Sequence, residues 1–373
     1  MRLLWYASVL PKRVPSVPLK SNKRFLPFTS IEKKGLKKVR KSFVLLLTGL
    51  LAVLILSACG QKTQQDIVAG LDEKAKEYTS YKAKAKMTIE TGSEPQVYNV
   101  EIWHKKPSLY RVYLENPKKD QNQVILRNEN GVFVLTPSLN KSFRFQSDWP
   151  NNSSQVYLFE SLVKDVQNDS DAVFTAKEKK YVFETKTNYQ HNKMLPTQEI
   201  TFNKKDMSPS SVKVMDTDRK VMVKVEFSSF EFNKQFDKES FDEKKNMTLS
   251  QMDVATSAKP SDTFAVKTPL ELPLGVKLLE EKDISTEDGK RIIMTYGGEK
   301  SFTLIQEKAQ IAKASSSVTL NGEPVNLGYT IGALSDASLS WTYDGVDYLL
   351  SSKDLSKEEM VTVAKSMQGQ SSK

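Results

Sequence analysis

The strongest constraint on how this chain folds is an alternation of period two that sets in after Ser80 and keeps returning. Tyr98, Val100 and Ile102 alternate with Asn99 and Glu101, and Tyr110, Val112 and Leu114 alternate with Arg111 and Tyr113. Successive side chains of a strand point to opposite faces, so each such run is a strand with one apolar and one wet face. Val124 to Leu126, Val132 to Leu135, Phe143 with Phe145, Tyr181 to Phe183, Ile200 to Phe202, Val212 to Met215 and Val221 to Phe227 extend the series. Asn128-Glu129-Asn130-Gly131 separates two of them and is a hairpin signal, because Asn-Gly tolerates positive φ. One-sided strands of this kind pair antiparallel, which predicts one large sheet. The alternation changes phase at Ser228-Ser229, which predicts a bulge or a bend.

An apolar sheet face has to be covered. Ile67, Leu71, Ala75 and Tyr78 fall on one helical face, with Asp66 placed to cap it and Asp72 and Glu73 early in it. Val156, Phe159, Val163 and Val166 predict a second helix that Asn152-Ser153 would cap, and Leu158 and Leu162 widen its stripe. The expected fold is α+β: a large curled antiparallel sheet, a half-barrel, with helices on its concave face.

Residues 67–246 make this first domain. Residues 247–263 are polar, carry Lys259-Pro260, and read as a linker. Residues 264–373 make a second, small α+β domain. Its turns are signalled by Asp288-Gly289, Asn321-Gly322 and Asp344-Gly345. Ser356 with Glu359 is a capping box for a last helix whose buried stripe is Met360, Val363, Ala364 and Met367.

Charge needs to be read in two parts. The chain has 55 Lys and Arg against 45 Asp and Glu, net +10, which invites a nucleic-acid reading. Twelve of the basic groups and only one acid, Glu32, precede Cys59, leaving 43 basic against 44 acidic groups after it. No phosphate-binding footprint survives in that remainder, so no nucleic-acid partner is expected.

The basic excess belongs to a leader, residues 1–58. Lysines and arginines from Lys33 to Lys41 flank an apolar run, Phe43 to Leu56, that is closed by Ser57-Ala58-Cys59. A basic flank, a short apolar segment and small residues are the parts of a secretory signal. The run is shorter than the roughly 20 residues a spanning helix needs. Residues 1 to about 31 hold four prolines and no period. Either translation starts later, at Val39 read from a GTG codon, or the chain carries a cytosolic extension. Cys59 is the one cysteine, so no intramolecular disulfide can form.

Leu56-Ser57-Ala58-Cys59 resembles the bacterial lipobox. The resemblance implies cleavage between Ala58 and Cys59, a diacylglycerol on the Cys59 thiol, and a tether over residues 59–66. It places the mature chain outside the cell, on the outer leaflet of the cell membrane, with that membrane as its first partner.

Catalytic and metal chemistry is not signalled. His104 and His191 lie far apart without ligand spacing, and neither a Gly-x-Ser-x-Gly elbow nor a phosphate loop occurs. Both histidines read as surface or turn residues, with Lys105-Lys106 holding the proton affinity of His104 down. The expectation is no enzyme, no metal and no cofactor beyond the lipid on Cys59. Trp103, Tyr110, Tyr113, Phe143, Phe145 and Trp149 read as core filling. Any unfilled part of that face would favour an acyl chain by about 0.8 kcal/mol per buried methylene.

Trp103-His104-Lys105-Lys106-Pro107-Ser108-Leu109-Tyr110-Arg111 carries a Lys-x-Pro-x-x-x-Arg segment leading into a strand, and Asn130 to Pro137 a Gly-turn strand with a Leu-x-Pro corner. With the order signal, lipidated cysteine, helix, sheet, helix, sheet, these motifs resemble the LolA/RseB-like lipoprotein-carrier superfamily. Closer still, the mature chain is similar to the YdcC sporulation lipoproteins of Bacillus relatives. The resemblance implies a concave apolar face holding an acyl chain, a lipoprotein or another hydrophobic ligand, with Arg111 at the position that gates a lid. An anchored chain is no long-range shuttle, so the resemblance implies a fixed binding module with a role in sporulation. The alternative is a protein-interaction or envelope-sensing module without lipid cargo.

Overall fold

Period two becomes pleat over β1 (Ser80–Ile89), β2 (Gln96–Lys105), β3 (Leu109–Asn116), β4 (Gln121–Asn128), β5 (Gly131–Thr136), β6 (Lys141–Phe145), β7 (Val173–Ala176), β8 (Lys180–Lys186), β9 (Thr197–Asn203), β10 (Pro209–Met215) and β11 (Val221–Phe232). The computed structural model describes residues 62–369, apart from 91–94, 118–120, 146, 150–154, 189–194, 254–264, 287–288, 312–315 and 321. Ala58, Cys59, Asn152, Ser153 and His191 lie outside the described residues. Residues 62–373 fall in one compact unit.

The eleven strands pair antiparallel in the order β6-β5-β4-β3-β2-β1-β11-β10-β9-β8-β7, and a twelfth, β15 (Ser316–Leu320), lies parallel beside β6. The result is a curled sheet whose end strands do not pair. The central strand β1 alternates lysine with alanine (Lys82, Ala83, Lys84, Ala85, Lys86) and then Met87. Alanine and lysine are poor strand formers, yet β1 is fixed by partners on both edges. Lys84 pairs with Ser229 and Ala85 with Phe227, leaving Ser228 as the extra residue of the bulge that the phase change foretold.

Two helices cover the inner face. In α1 (Gln64–Glu77) the cap is Thr63, not Asp66: Asp66 N–H donates to Thr63 Oγ1 at 3.2 Å, and Thr63 N–H donates to the Asp66 carboxylate at 2.8 Å. Asp66 is the third helical residue of a capping box, so the helix starts earlier than its apolar stripe. The second helix, α2, is Phe159–Asn168; Leu158 precedes it with no side-chain cap, and Val156 lies before the helix. Ile67 and Leu71 of α1 and Phe159, Leu162, Val163 and Val166 of α2 are buried with Tyr81, Ala83, Val100, Ile102, Val112 and Leu114 of the sheet.

A third helix, α3 (Glu243–Asp253), lies on the other face of the same sheet and runs into the segment that reads as linker in sequence. Its stripe is poor, with Met247 as its buried apolar residue, so helical period is hard to see.

The second sheet has seven strands: β12 (Lys277–Thr286), β13 (Gly289–Gly297), β14 (Phe302–Lys308), β16 (Glu323–Asn326), β17 (Ile331–Leu334), β18 (Ser338–Tyr343) and β19 (Val346–Ser351). Their order is β12-β13-β14-β19-β18-β17-β16, antiparallel throughout. The last helix, α4 (Lys357–Lys365), starts at the Ser356–Glu359 capping box and buries Met360, Val363 and Ala364. Its core is continuous with that of the large sheet. Gln123 of β4 donates to Thr330 at 3.1 Å, and Lys141 of β6 pairs with Asp347 of β19 at 2.7 Å.

Candidate functional site

Strand parity decides which residues can meet. On β2 and β3 the even-numbered residues Tyr98, Val100, Ile102, His104, Tyr110, Val112 and Leu114 face the helices α1 and α2, while Trp103, Arg111 and Tyr113 face α3.

On the inner face His104 is 1% exposed, where the sequence alone suggested a surface position. Its ring stacks on Tyr110 with centroids 4.1 Å apart, while Lys106 lies over the neighbouring Tyr78 ring and donates to the Ala75 and Lys76 carbonyls. Nδ1 lies 2.9 Å from the Leu109 carbonyl oxygen and so carries the proton that bonds it. Nε2 is then an acceptor, 3.0 Å from Oε1 of Glu160, in the first turn of α2. The Tyr78 hydroxyl donates to the same carboxyl oxygen, and Tyr81 donates to Oε2 at 3.1 Å.

Burial pushes the Glu160 carboxyl up to about 8 and the His104 imidazole down to about 4, the nearby Lys106 adding to the latter. Near neutral pH both groups are uncharged. A protonated Glu160 donating to His104 Nε2 and accepting from two tyrosines satisfies all four side chains. Nothing in the cluster holds a poised nucleophile: its groups are spent on one another. Among the described residues no set of three or more His, Cys, Asp or Glu side chains is placed to hold a metal ion.

Arg111, the candidate gating residue, is buried on the outer face instead. Its Nε donates to Asn246 Oδ1 of α3 at 2.6 Å, and Nη1 donates to Glu101 Oε1 at 3.2 Å. The guanidinium lies over the Trp103 ring, 4.4 Å from its centroid, with Tyr113 5.4 Å away. Asn246 in turn donates to the carbonyls of Ser240 and Asp242, at the start of α3. Around it, Asn122 donates to the Ser250 carbonyl at 3.1 Å and Ser142 to Glu243 at 2.6 Å. Trp103 stacks on Phe236, which packs edge-on against Phe241. Arg111 therefore fastens β3 to α3. Beside it Lys84, Lys86, Asn99, Glu101, Tyr113 and Glu115 line an open polar cleft of about 450 Å³.

Two small cavities lie where the two sheets meet. Tyr98, Leu114, Tyr329 and Tyr343 line a cavity of about 50 Å³, and Phe143, Phe145, Leu320, Ile331 and Trp341 line one of about 150 Å³.

Glu160 and Asn246 escaped the sequence reading. A carboxylate set between Leu158-Phe159 and Leu162-Val163 was a signal for the first. Asn246 carried none, since its partner is 135 residues away.

Several solved structures are similar to this chain at low identity. The Pseudomonas aeruginosa MucA/MucB complex matches at 14% identity over 82% of this chain and 99% of that one, with a TM-score of 0.30. A LolA superfamily protein from Nitrosomonas europaea matches at 11% over 50% of this chain and all of that one, TM-score 0.29. The CwlD amidase from Clostridioides difficile in complex with the GerS lipoprotein matches at 17% over 46% and 97%, TM-score 0.28. Residues 38–241, more than half of the sequence, match the family described as sporulation protein YdcC-like, and the chain belongs to that family.

Proposed function

We propose that this chain is a non-enzymatic envelope protein of the sporulation programme, lipid-anchored through Cys59, whose folded body works by binding another protein. One observation carries the choice over lipid cargo: among the described residues, α1 and α2 already pack on the inner apolar face. Phe159, Leu162, Ile67 and Leu71 are fully buried against it. Pockets that take up drug-sized ligands run to roughly 300–1,000 Å³. The cavities of about 50 and 150 Å³ fall short of that, and the 450 Å³ cleft is walled by lysines and glutamates. An acyl chain would have to displace α1 or α2 before it gained anything from burial.

Titration of residues 62–373 with an apolar fluorescent dye and with palmitate tests this. The expected result is no saturable binding of either. Saturable dye binding that palmitate displaces would restore the lipid-holding reading. Anchoring is tested separately: labelled palmitate should mark the full chain in cells, and Cys59→Ser should abolish the mark and release the protein from membranes.

A further inference from the structure

Charge is unevenly matched over the outer face of the large sheet. Towards β9, β10 and β11 cations meet carboxylates one to one: Lys213 lies 2.8 Å from Glu199, and Lys224 2.8 Å from Glu226. On β1 to β3 three cations share a single carboxylate. Glu101 has Lys82 at 3.1 Å, Arg111 at 3.2 Å and Lys84 at 3.9 Å. Lys86, two residues along β1, is opposite Asn99 on β2 and Glu226 on β11, and Glu226 is held by Lys224. Among the described residues Lys86 has no salt bridge of its own.

These lysines do nothing evident for the sheet itself. Lysine on an edge strand blocks unwanted pairing, but β1 is paired on both sides. Lysine is also a weak strand former. Lys84 and Lys86 are exposed and line the cleft of about 450 Å³ whose wall includes Glu101 and the buried Arg111. Ser228, the extra residue of the β11 bulge, lines it too, its hydroxyl donating to the Lys84 carbonyl at 3.2 Å. On the far side is Glu115, which accepts from Asn99 at 3.1 Å and has no salt bridge among the described residues. Lys86, Asn99 and Glu115 occupy one cross-strand row, so two strand spacings, roughly 10 Å, separate the lysine from the second carboxylate. Around the cleft Lys82, Lys84, Lys86 and Arg111 therefore outnumber Glu101 and Glu115.

We propose that this cleft binds an acidic segment of a partner protein, with a side-chain carboxylate seated between Lys84 and Lys86. Charge complementarity selects the occupant. A carboxylate there supplies the acceptor that Glu101, shared three ways, does not, and hydrogen bonds between ionised groups are the strong kind. Glu115 repels a second acid on the β3 side, which confines the approach to the β1 side of the cleft. At about 450 Å³ the cleft is far larger than one inorganic anion fills, and Asn99 and Ser228 add polar groups beside the lysines for the flanking main chain. The inference rests on the protein-binding reading and names the chemistry of what is bound.

The test uses residues 62–373 and a fluorescein-labelled ten-residue peptide alternating glutamate with serine. Fluorescence anisotropy should show saturable binding that weakens as salt is raised, and a peptide with lysine in place of glutamate should not bind. Replacing both cleft lysines, Lys84→Gln with Lys86→Gln, should weaken binding about tenfold, with circular dichroism unchanged since both side chains are exposed. Glu115→Gln should tighten it several-fold by removing the repulsion. Lys213→Gln with Lys224→Gln takes the same charge from the matched part of the face and should leave binding as it was. Absent binding, or equal losses from the two double variants, would overturn the proposal. Displacement of the peptide by inorganic phosphate at equal concentration would also overturn it, by making a free anion the occupant. Dye and palmitate uptake in the preceding experiment would instead defeat the protein-binding reading itself, whatever the peptide does.

Discussion

The two faces of the large sheet are built from the same strands by different means. The inner face is held by shape, with aliphatic and aromatic side chains of α1 and α2 closing on it and one neutral polar knot, His104–Glu160–Tyr78–Tyr81, set among them. The outer face is held by valence: α3 brings little apolar surface and is pinned by Arg111–Asn246, Asn122–Ser250 and Ser142–Glu243. Burial without direction gives cooperative stability, while directed polar bonds fix one element in one place. The lesson is that a helix can be essential to a face without being amphipathic in the usual sense.

Substitutions should separate the two modes. The largest effect is expected on the inner face. Phe159→Ala removes a fully buried ring and should cost about 3–5 kcal/mol in urea unfolding, lowering the midpoint for the whole unit. Arg111→Leu should cost less, about 1–3 kcal/mol, because Lys82 and Lys84 still face Glu101 while Asn246 loses its donor. Its signature is local, with faster amide exchange in α3 and a nearly unchanged inner core. A global loss equal to that of Phe159→Ala would erase the distinction between the faces. If Arg111 gates a partner or ligand, the same variant alters exchange rates, and unchanged exchange would take it out of that role.

The smallest effect tests the polar knot. Glu160 is held above its unfolded value of about 4.5, so between pH 6.5 and 8 the folded chain binds more protons than the unfolded one and stability falls as pH rises. The slope should be at most about 1.4 kcal/mol per pH unit. His104, held down to about 4, acts in the opposite sense, costing stability as pH falls from 6.5 towards 4. Glu160→Gln should flatten the melting temperature above pH 6.5 and steepen its fall between pH 6.5 and 4.5, where the two groups otherwise offset each other. A slope that survives the substitution would mean the carboxyl is ionised in the fold.

How much of this was legible depends on the range of the interaction. Strands with alternating side chains, the hairpin at Asn130-Gly131, the Ser228 bulge and the last helix with its capping box are local patterns, and each is where the sequence puts it. β1 was hidden because Lys82 to Lys86 have the right period and the wrong propensities. His104 looked exposed beside Lys105-Lys106, yet strand parity turns it inward onto a glutamate 56 positions later. Arg111 was singled out from a motif, but its burial depends on α3, far along the chain and weakly patterned. The joining of the second sheet to the first is likewise non-local.

That joining has a consequence for the order of synthesis. The edge of β6 stays uncovered until β15 arrives more than 170 residues later, and with it the turn that carries Thr330 and the strand that carries Asp347. A ribosome has therefore released nearly the whole polypeptide before the large sheet gains its final strand. Chains broken off early would leave a sticky border at that place, so premature stops anywhere ahead of Ser316 should yield aggregates or rapid degradation, and not a smaller working protein.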